Sequence, residues 1–182
     1  YGMEHQPELA REARKAGLFV WEEFPDRPDQ RFGDGEEPFD VFLSFNFLEH
    51  QPEPDVMLQA IWRNLSENGM GLVTVPALEY ILEQGSYYEL LCDHIACYSL
   101  GTLKGLLENN GFAVLEERII NRDTIEAVVR KKAVWPTDAE EFSEKMISFD
   151  SLTEGYRVIN QEIDELLEVL KEKGETLAVW GA

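Results

Sequence analysis

Apolar residues along this chain recur at two spacings, and the spacings alternate. Residues 7–16 read as a helix: Pro7 stands in the first turn, Leu9, Ala10 and Ala13 share one side, and Gly17 is the stop. Residues 18–21 (Leu-Phe-Val-Trp) are continuously apolar and predict a short strand. A polar stretch at 25–38, rich in Pro, Gly and Asp, reads as a loop. It leads to residues 39–45, apolar on both alternating faces, which predict a strand covered on both sides in a parallel sheet. Val56, Leu58, Ile61, Trp62 and Leu65 recur near helical spacing and predict a helix over 54–67, closed by Asn68-Gly69. Residues 71–76 then read as a third buried strand.

The pattern loosens over 80–98, which reads as an irregular aromatic segment. Ser99 is placed to cap a helix running to 109, with Leu100, Leu103, Leu106 and Leu107 inward and Asn110-Gly111 as its end. Residues 112–120 and 124–130 predict two strands joined by Asn121-Arg122-Asp123. So short a connection forces antiparallel pairing, since a parallel return needs a long crossover. The order of elements argues for a doubly wound α/β fold, mostly parallel, with an antiparallel strand at one edge. Beyond Pro136 the pattern changes to an acidic amphipathic stretch at 138–149. A long helix follows over 154–173, with Ile159, Ile163, Leu166, Leu167 and Leu170 on one face. Residues 176–182 read as an apolar strand ending in Gly181-Ala182.

Composition narrows what such a chain can do. Its 182 residues are 44% hydrophobic, enough for a core, but 16 Lys and Arg stand against 36 Asp and Glu, a net charge of −20. That field repels phosphate backbones and anionic lipid, so neither a nucleic acid nor a membrane surface is expected as a partner. Cys92 and Cys97 are too few for a disulfide framework, which points to a reducing, cytoplasmic setting. The chain starts without room for a first element and stops as a strand forms. It is therefore read as a piece of a longer protein.

Ligands of open α/β sheets bind beyond the carboxyl ends of the strands, and three such ends carry polar residues. Glu4 follows the first; its carboxylate suits the paired hydroxyls of a ribose, and equally the dipole of the helix starting at Pro7. Asn46-Phe47-Leu48-Glu49-His50 follows the second complete strand. An amide and an aromatic edge there suit a flat heterocycle or an amino-acid group, while Glu49-His50 also reads as a solvated pair at a turn. The third is the stretch from Tyr87 and Tyr88 to Tyr98. In it Asp93-His94 sets a carboxylate beside an imidazole able to move a proton near neutral pH, or simply a histidine held by hydrogen bonds. Cys92, His94 and Cys97 do not match a common zinc spacing, and no metal site is assigned.

Phe39-Asp40-Val41 through Phe47-Leu48-Glu49-His50, then Leu58, Leu65 and Gly69-Met70-Gly71-Leu72-Val73-Thr74-Val75-Pro76, resembles the middle of a class I S-adenosylmethionine-dependent methyltransferase. The succession Tyr87-Tyr88-Glu89, Asp93-His94-Ile95, Tyr98-Ser99, Leu103, Leu107 and Gly111-Phe112 is similar to the sugar C-methyltransferases of deoxysugar pathways. The resemblance implies a Rossmann-like sheet. It also implies two regions, a partial methyltransferase domain at 1–132 and, at 133–182, a helical linker with the first strand of a C-terminal Rossmann-like domain.

On the matched positions, the resemblance implies that Glu4 holds the cofactor's ribose. Glu23 or Phe24 falls at the adenine, and Asn46 and Phe47 at the methionine part. His94 falls at the general base, with Asp93 where glutamate is more usual. Glu49, His50, Tyr87, Tyr88 and Tyr98 are left to line the acceptor. The implied cofactor is S-adenosylmethionine, and the implied substrate a small molecule, a nucleotide-linked deoxysugar methylated on the carbon next to a ketone. An O- or N-methyltransferase is the alternative, and a non-catalytic binding module another. The family's glycine-rich loop after its first strand has no counterpart in residues 1–182, since Phe32-Gly33-Asp34-Gly35 comes before the fourth strand. The piece is therefore expected to be inactive by itself.

Overall fold

Gly2 and Met3 (β1) pair in parallel with Val20 and Trp21 (β2), and α1 (Pro7–Lys15) crosses between them. These elements open a computed structural model that describes residues 1–32, 37–86, 89–90, 93–137 and 148–178. Contacts divide the chain into two compact units, residues 1–77 with 92–144, and residues 78–91 with 145–182.

The first unit also holds a four-stranded sheet in the order β3-β4-β6-β5, from β3 (Phe39–Phe45), β4 (Leu65–Pro76), β5 (Phe112–Ile120) and β6 (Thr124–Lys131). β3 and β4 are parallel and joined through α2 (Pro54–Asn64), the crossover that a parallel pair requires. β5 and β6 form an antiparallel hairpin whose turn sets Asn121 and Arg122 at φ 52° and 78°. The reversed strand expected at the edge is β6, and it lies one place in, between β4 and β5.

Several boundaries differ from the sequence pattern. The strand expected over 18–21 is confined to Val20 and Trp21, because β1 offers only two residues to pair with; Leu18 and Phe19 are exposed. The helix expected over 54–67 stops at Asn64. There the side-chain amide donates to the carbonyls of Ala60 and Gln30 at 2.7 and 2.8 Å, while its oxygen accepts from Phe32 N–H at 3.0 Å. Leu65 is thereby released to pair with Phe39, and the third strand begins six residues early. The sequence pattern predicts β3 covered on both faces, yet Val41, Leu43 and Phe45 are exposed, while Phe39 in the same alternation meets the rings of Tyr1 and Trp21.

The core lies on the other side. Val73, Val75, Ile125 and Val129 from the strands are buried, as are Leu103 and Leu107 of α4 (Leu100–Asn109), and Phe112 is fully buried with its ring 5.4 Å from that of Phe42. Full burial of a phenylalanine contributes about 1.5–3 kcal/mol. Gly71 has no freedom to be anything larger, since a Cβ there would run into the Phe42 ring. Ser99 caps α4 as expected. Its hydroxyl accepts from Thr102 N–H at 3.1 Å, and the Thr102 hydroxyl accepts from Ser99 N–H at 2.8 Å.

The second unit is built from α3 (Leu78–Gln84) and α5 (Asp150–Lys173). α3 occupies the start of the segment read as irregular. Its Leu78 and Ile81 pack with Leu152 of α5, and Leu82 lies against them. Gly155 sits so close to Gly85 that a Cβ would lie 2.7 Å from the Gly85 carbonyl oxygen. α5 begins four residues earlier than expected. Of its predicted inward face, Ile163, Leu166 and Leu167 are exposed, and Leu152 is its buried residue. Residues 175–178 form no strand, and the remainder of that expected strand lies outside the described residues.

Candidate functional site

Asn46 follows β3, and its φ of 44° is a left-handed conformation that asparagine tolerates better than most residues. Thr74 of the neighbouring strand holds it there. Asn46 N–H donates to the Thr74 carbonyl at 2.9 Å, and its side-chain oxygen accepts from the Thr74 hydroxyl at the same distance. The Asn46 amide NH2 keeps no hydrogen-bond partner among the described residues. Thr74 was not among the residues singled out from the sequence; a lone hydroxyl near the carboxyl end of an apolar strand was the only signal.

Beyond Asn46 and Phe47 the chain makes one 3-10 turn, Leu48–His50, which buries Leu48 and Glu49 to 1% exposure. The segment 93–98 folds over this turn. Ala96 N–H donates to the Glu49 carbonyl at 3.2 Å, and the Asp93 carbonyl oxygen lies 2.8 Å from His50 Nδ1. Tyr98 anchors the far end through a bridge to Ala77. The fold thus brings together Glu49, His50, Asp93 and His94, residues more than forty apart in the chain. The rings of His50 and His94 stand 4.8 Å apart in an edge-on arrangement, and His50 Nε2 is 3.8 Å from Glu49 Oε1. One Asp93 carboxylate oxygen lies 3.8 Å from His50 Nδ1 and the side chain is exposed.

Burial shapes the electrostatics. Neither oxygen of Glu49 has a hydrogen-bond partner among the described residues, and loss of water pushes its carboxyl up from the usual range. Its own backbone N–H and the two imidazoles offset part of that rise, and Asp93 adds to it. Tyr98, 6% exposed, is pushed up to about 12 by burial, with the negative charges of Glu49 and Asp55 adding to it.

The residues assigned to the cofactor are partly gathered. Glu4 lies just past β1; one carboxylate oxygen accepts from Gln6 N–H at 2.8 Å and sits 3.4 Å from His5 Nδ1, while the other oxygen makes no hydrogen bond among the described residues. Phe24 meets Phe47 edge-on at 6.0 Å and His5 at 5.9 Å. Glu23, by contrast, is turned to Gln30, whose side-chain amide it accepts from at 3.1 Å. An open carboxylate oxygen, two aromatic edges and a free amide at neighbouring strand ends fit a ribose, an adenine and an amino-acid group. Tyr87, Tyr88 and Cys92 lie outside the described residues, and Cys97 is exposed as a free thiol. A cavity of about 340 Å³ between Arg31, Phe39, Arg63, Leu65 and Lys131 opens at the opposite strand ends, where α/β sheets do not place their ligands.

The chain matches a family described as a methyltransferase domain over residues 3–117, and it belongs to that family. The fold and the match together define a class I S-adenosylmethionine-dependent methyltransferase, with S-adenosylmethionine as the methyl donor. No curated protein sequence matches.

Among solved structures, a methyltransferase dependent on S-adenosylmethionine from Mesorhizobium loti is 12% identical with a TM-score of 0.57, over 71% of this chain and 79% of that one. One from Thermotoga maritima is 21% identical with a TM-score of 0.55, over 73% and 72%. The Burkholderia thailandensis 1,6-didemethyltoxoflavin-N1-methyltransferase, solved with 1,6-didemethyltoxoflavin and S-adenosylhomocysteine, is 18% identical with a TM-score of 0.50, over 69% and 57%. Among the described residues no helix is long and apolar enough to cross a membrane.

Proposed function

We propose that this protein methylates a small molecule, and that the acceptor meets the group formed by Glu49, His50, Asp93 and His94. The observation that carries the reading is the convergence of these four side chains at the carboxyl ends of β3 and β4, beside Asn46 and Phe47. That is the edge of the sheet where a donor molecule would present its methyl group, so an acceptor held there is aligned for displacement; such positioning supplies much of the acceleration in two-substrate reactions. When bound, S-adenosylmethionine supplies an electrophilic methyl on a sulfonium. Glu4 would hold its ribose, Phe24 would meet its adenine, and Asn46 and Phe47 would meet its methionine part.

The finer reading is methylation of a carbon next to a ketone in a nucleotide-linked deoxysugar. It rests on the order Tyr87-Tyr88, Asp93-His94 and Tyr98-Ser99. In it His94 and Asp93 act on the acceptor, and Glu49, His50, Tyr87, Tyr88 and Tyr98 shape its place. Residues 133–182 would lead into a second domain, and the work would be done in the cytoplasm.

The test uses a labelled methyl donor with a keto-deoxysugar nucleotide, alongside calorimetric titration with S-adenosylhomocysteine. His94→Gln should lower turnover by about a hundred- to ten-thousand-fold, the range for losing a group that acts on a reacting proton. It should leave affinity for S-adenosylhomocysteine unchanged. Loss of that affinity would move His94 to a structural role, and unchanged turnover would remove it from the acceptor.

A further inference from the structure

The Asp93 carbonyl fixes more than the orientation of His50. A carbonyl can only accept, so at 2.8 Å it accepts a hydrogen bond from Nδ1–H, and in the neutral ring this leaves a lone pair on Nε2. Nε2 is the nitrogen that stands 3.8 Å from Glu49 Oε1. Two acceptors therefore face each other, too far apart for a hydrogen bond, with the ring of His94 beside them. Glu49 is 1% exposed, and apart from the pull of its own backbone N–H neither of its oxygens meets a donor among the described residues. A carboxylate buried in this way is costly to ionise unless it is paired, and a cation between it and the two imidazoles would pair it.

We infer that Glu49, His50 and His94 form a binding site for a divalent first-row cation of the zinc class. One ligand atom from each residue lies within 4.8 Å of the others. Ligands about 2.1 Å from a tetrahedral ion stand about 3.4 Å apart, so closure asks for roughly 1 Å of movement from the two half-buried imidazoles. Two imidazoles and a carboxylate are a donor set that suits zinc, cobalt or iron better than magnesium.

The supporting shell is present. A backbone carbonyl orients His50, as is usual for ligating histidines, and Ala96 N–H fixes the Glu49 backbone. Three protein ligands leave a coordination position for an oxygen of the acceptor. This inference rests on the acceptor-end reading above and adds an ion to the side chains assigned to that end.

The experiment is titration of the chelator-stripped protein with Zn²⁺ by calorimetry and with Co²⁺ by visible absorption, in parallel with S-adenosylhomocysteine. One ion per chain is expected, with the absorption of nitrogen-and-oxygen-bound Co²⁺. Glu49→Gln and His94→Gln should each weaken binding by more than the 10–100-fold typical of outer-shell changes. Circular dichroism checks that Glu49→Gln is folded; should it not be, His94→Gln, at a partly exposed position, carries the comparison. No saturable ion binding, or binding that survives both substitutions, overturns the inference. If S-adenosylhomocysteine still binds in that case, the methyltransferase reading stands and only the ion fails. If the ion binds and S-adenosylhomocysteine does not, the failure lies with the cofactor site.

Discussion

Tyr98 is the residue whose surroundings leave the plainest mark on the stability of the fold. Its hydroxyl is pushed up to about 12 because burial and the carboxylates of Glu49 and Asp55 all oppose the phenolate. The folded protein therefore holds this proton more tightly than the unfolded chain, where tyrosine ionises near 10. The contribution is whole below pH 10 and is lost as pH rises from there towards 12. The two units of difference correspond to about 2–3 kcal/mol at most. Urea unfolding across that interval should show the loss, and Tyr98→Phe should flatten that part of the slope. A Tyr98→Phe profile indistinguishable from the parent's would show that the tyrosine ionises freely. Glu49 and Asn46 belong to the same scale: one is a carboxyl buried with no side-chain donor among the described residues, the other a left-handed backbone held by Thr74.

Helix α4 shows how a single terminus is specified. Its first-turn N–H groups have no partner in the helix, and Ser99 and Thr102 satisfy one another's backbone reciprocally. Leu103 and Leu107 then go fully into the sheet, so the cap sets where the packed face begins. Ser99→Ala should cost about 1 kcal/mol, and Ser99→Asp should cost much less because its carboxylate can accept the same bond. Denaturant midpoints at constant slope measure both. Equal losses in the two variants would mean that the serine matters for its size in a buried position and not for its bond. The end of α2 is specified differently. Asn64 turns its side chain back onto Ala60 and across to Gln30, and the chain passes directly into β4.

At the scale of the molecule the dominant feature is charge. A net −20 over 182 residues is self-repelling, and segments such as Glu162, Asp164, Glu165 and Glu168 on α5 concentrate it. The ion pairs among its described residues are mostly exposed, as between Arg157 and Glu154 or Lys15 and Glu12, and such pairs contribute little. Screening the repulsion should therefore outweigh the weakening of the pairs. At physiological ionic strength charges more than about 8 Å apart already feel each other weakly. The thermal midpoint should accordingly rise as sodium chloride is added from low ionic strength and level off near that concentration. A midpoint that falls over the same range would show that the pairs, not the excess charge, govern stability.

The pattern of apolar residues determined most of the elements. Periodicity marked α1, α2 and α4, the hairpin followed from three polar residues between two strands, and Ser99 was legible as a cap because capping is a local interaction. The same strand ends that a sheet of this kind uses for ligands were legible too, with Glu4, Asn46, Phe47, Glu49, His50, Asp93 and His94 on them. What the sequence could not determine depends on partners far along the chain. The α2–β4 boundary is decided by Gln30, Phe32 and Phe39, and β6 takes its place between β4 and β5 because both of its edges find a ladder there. Glu49-His50 read as a solvated pair at a turn. Only the folding of residues 93–98 over that turn buries Glu49, fixes the Nδ1 proton of His50 and sets a second imidazole beside it, because burial and tautomer belong to the assembled chain and not to any stretch of it.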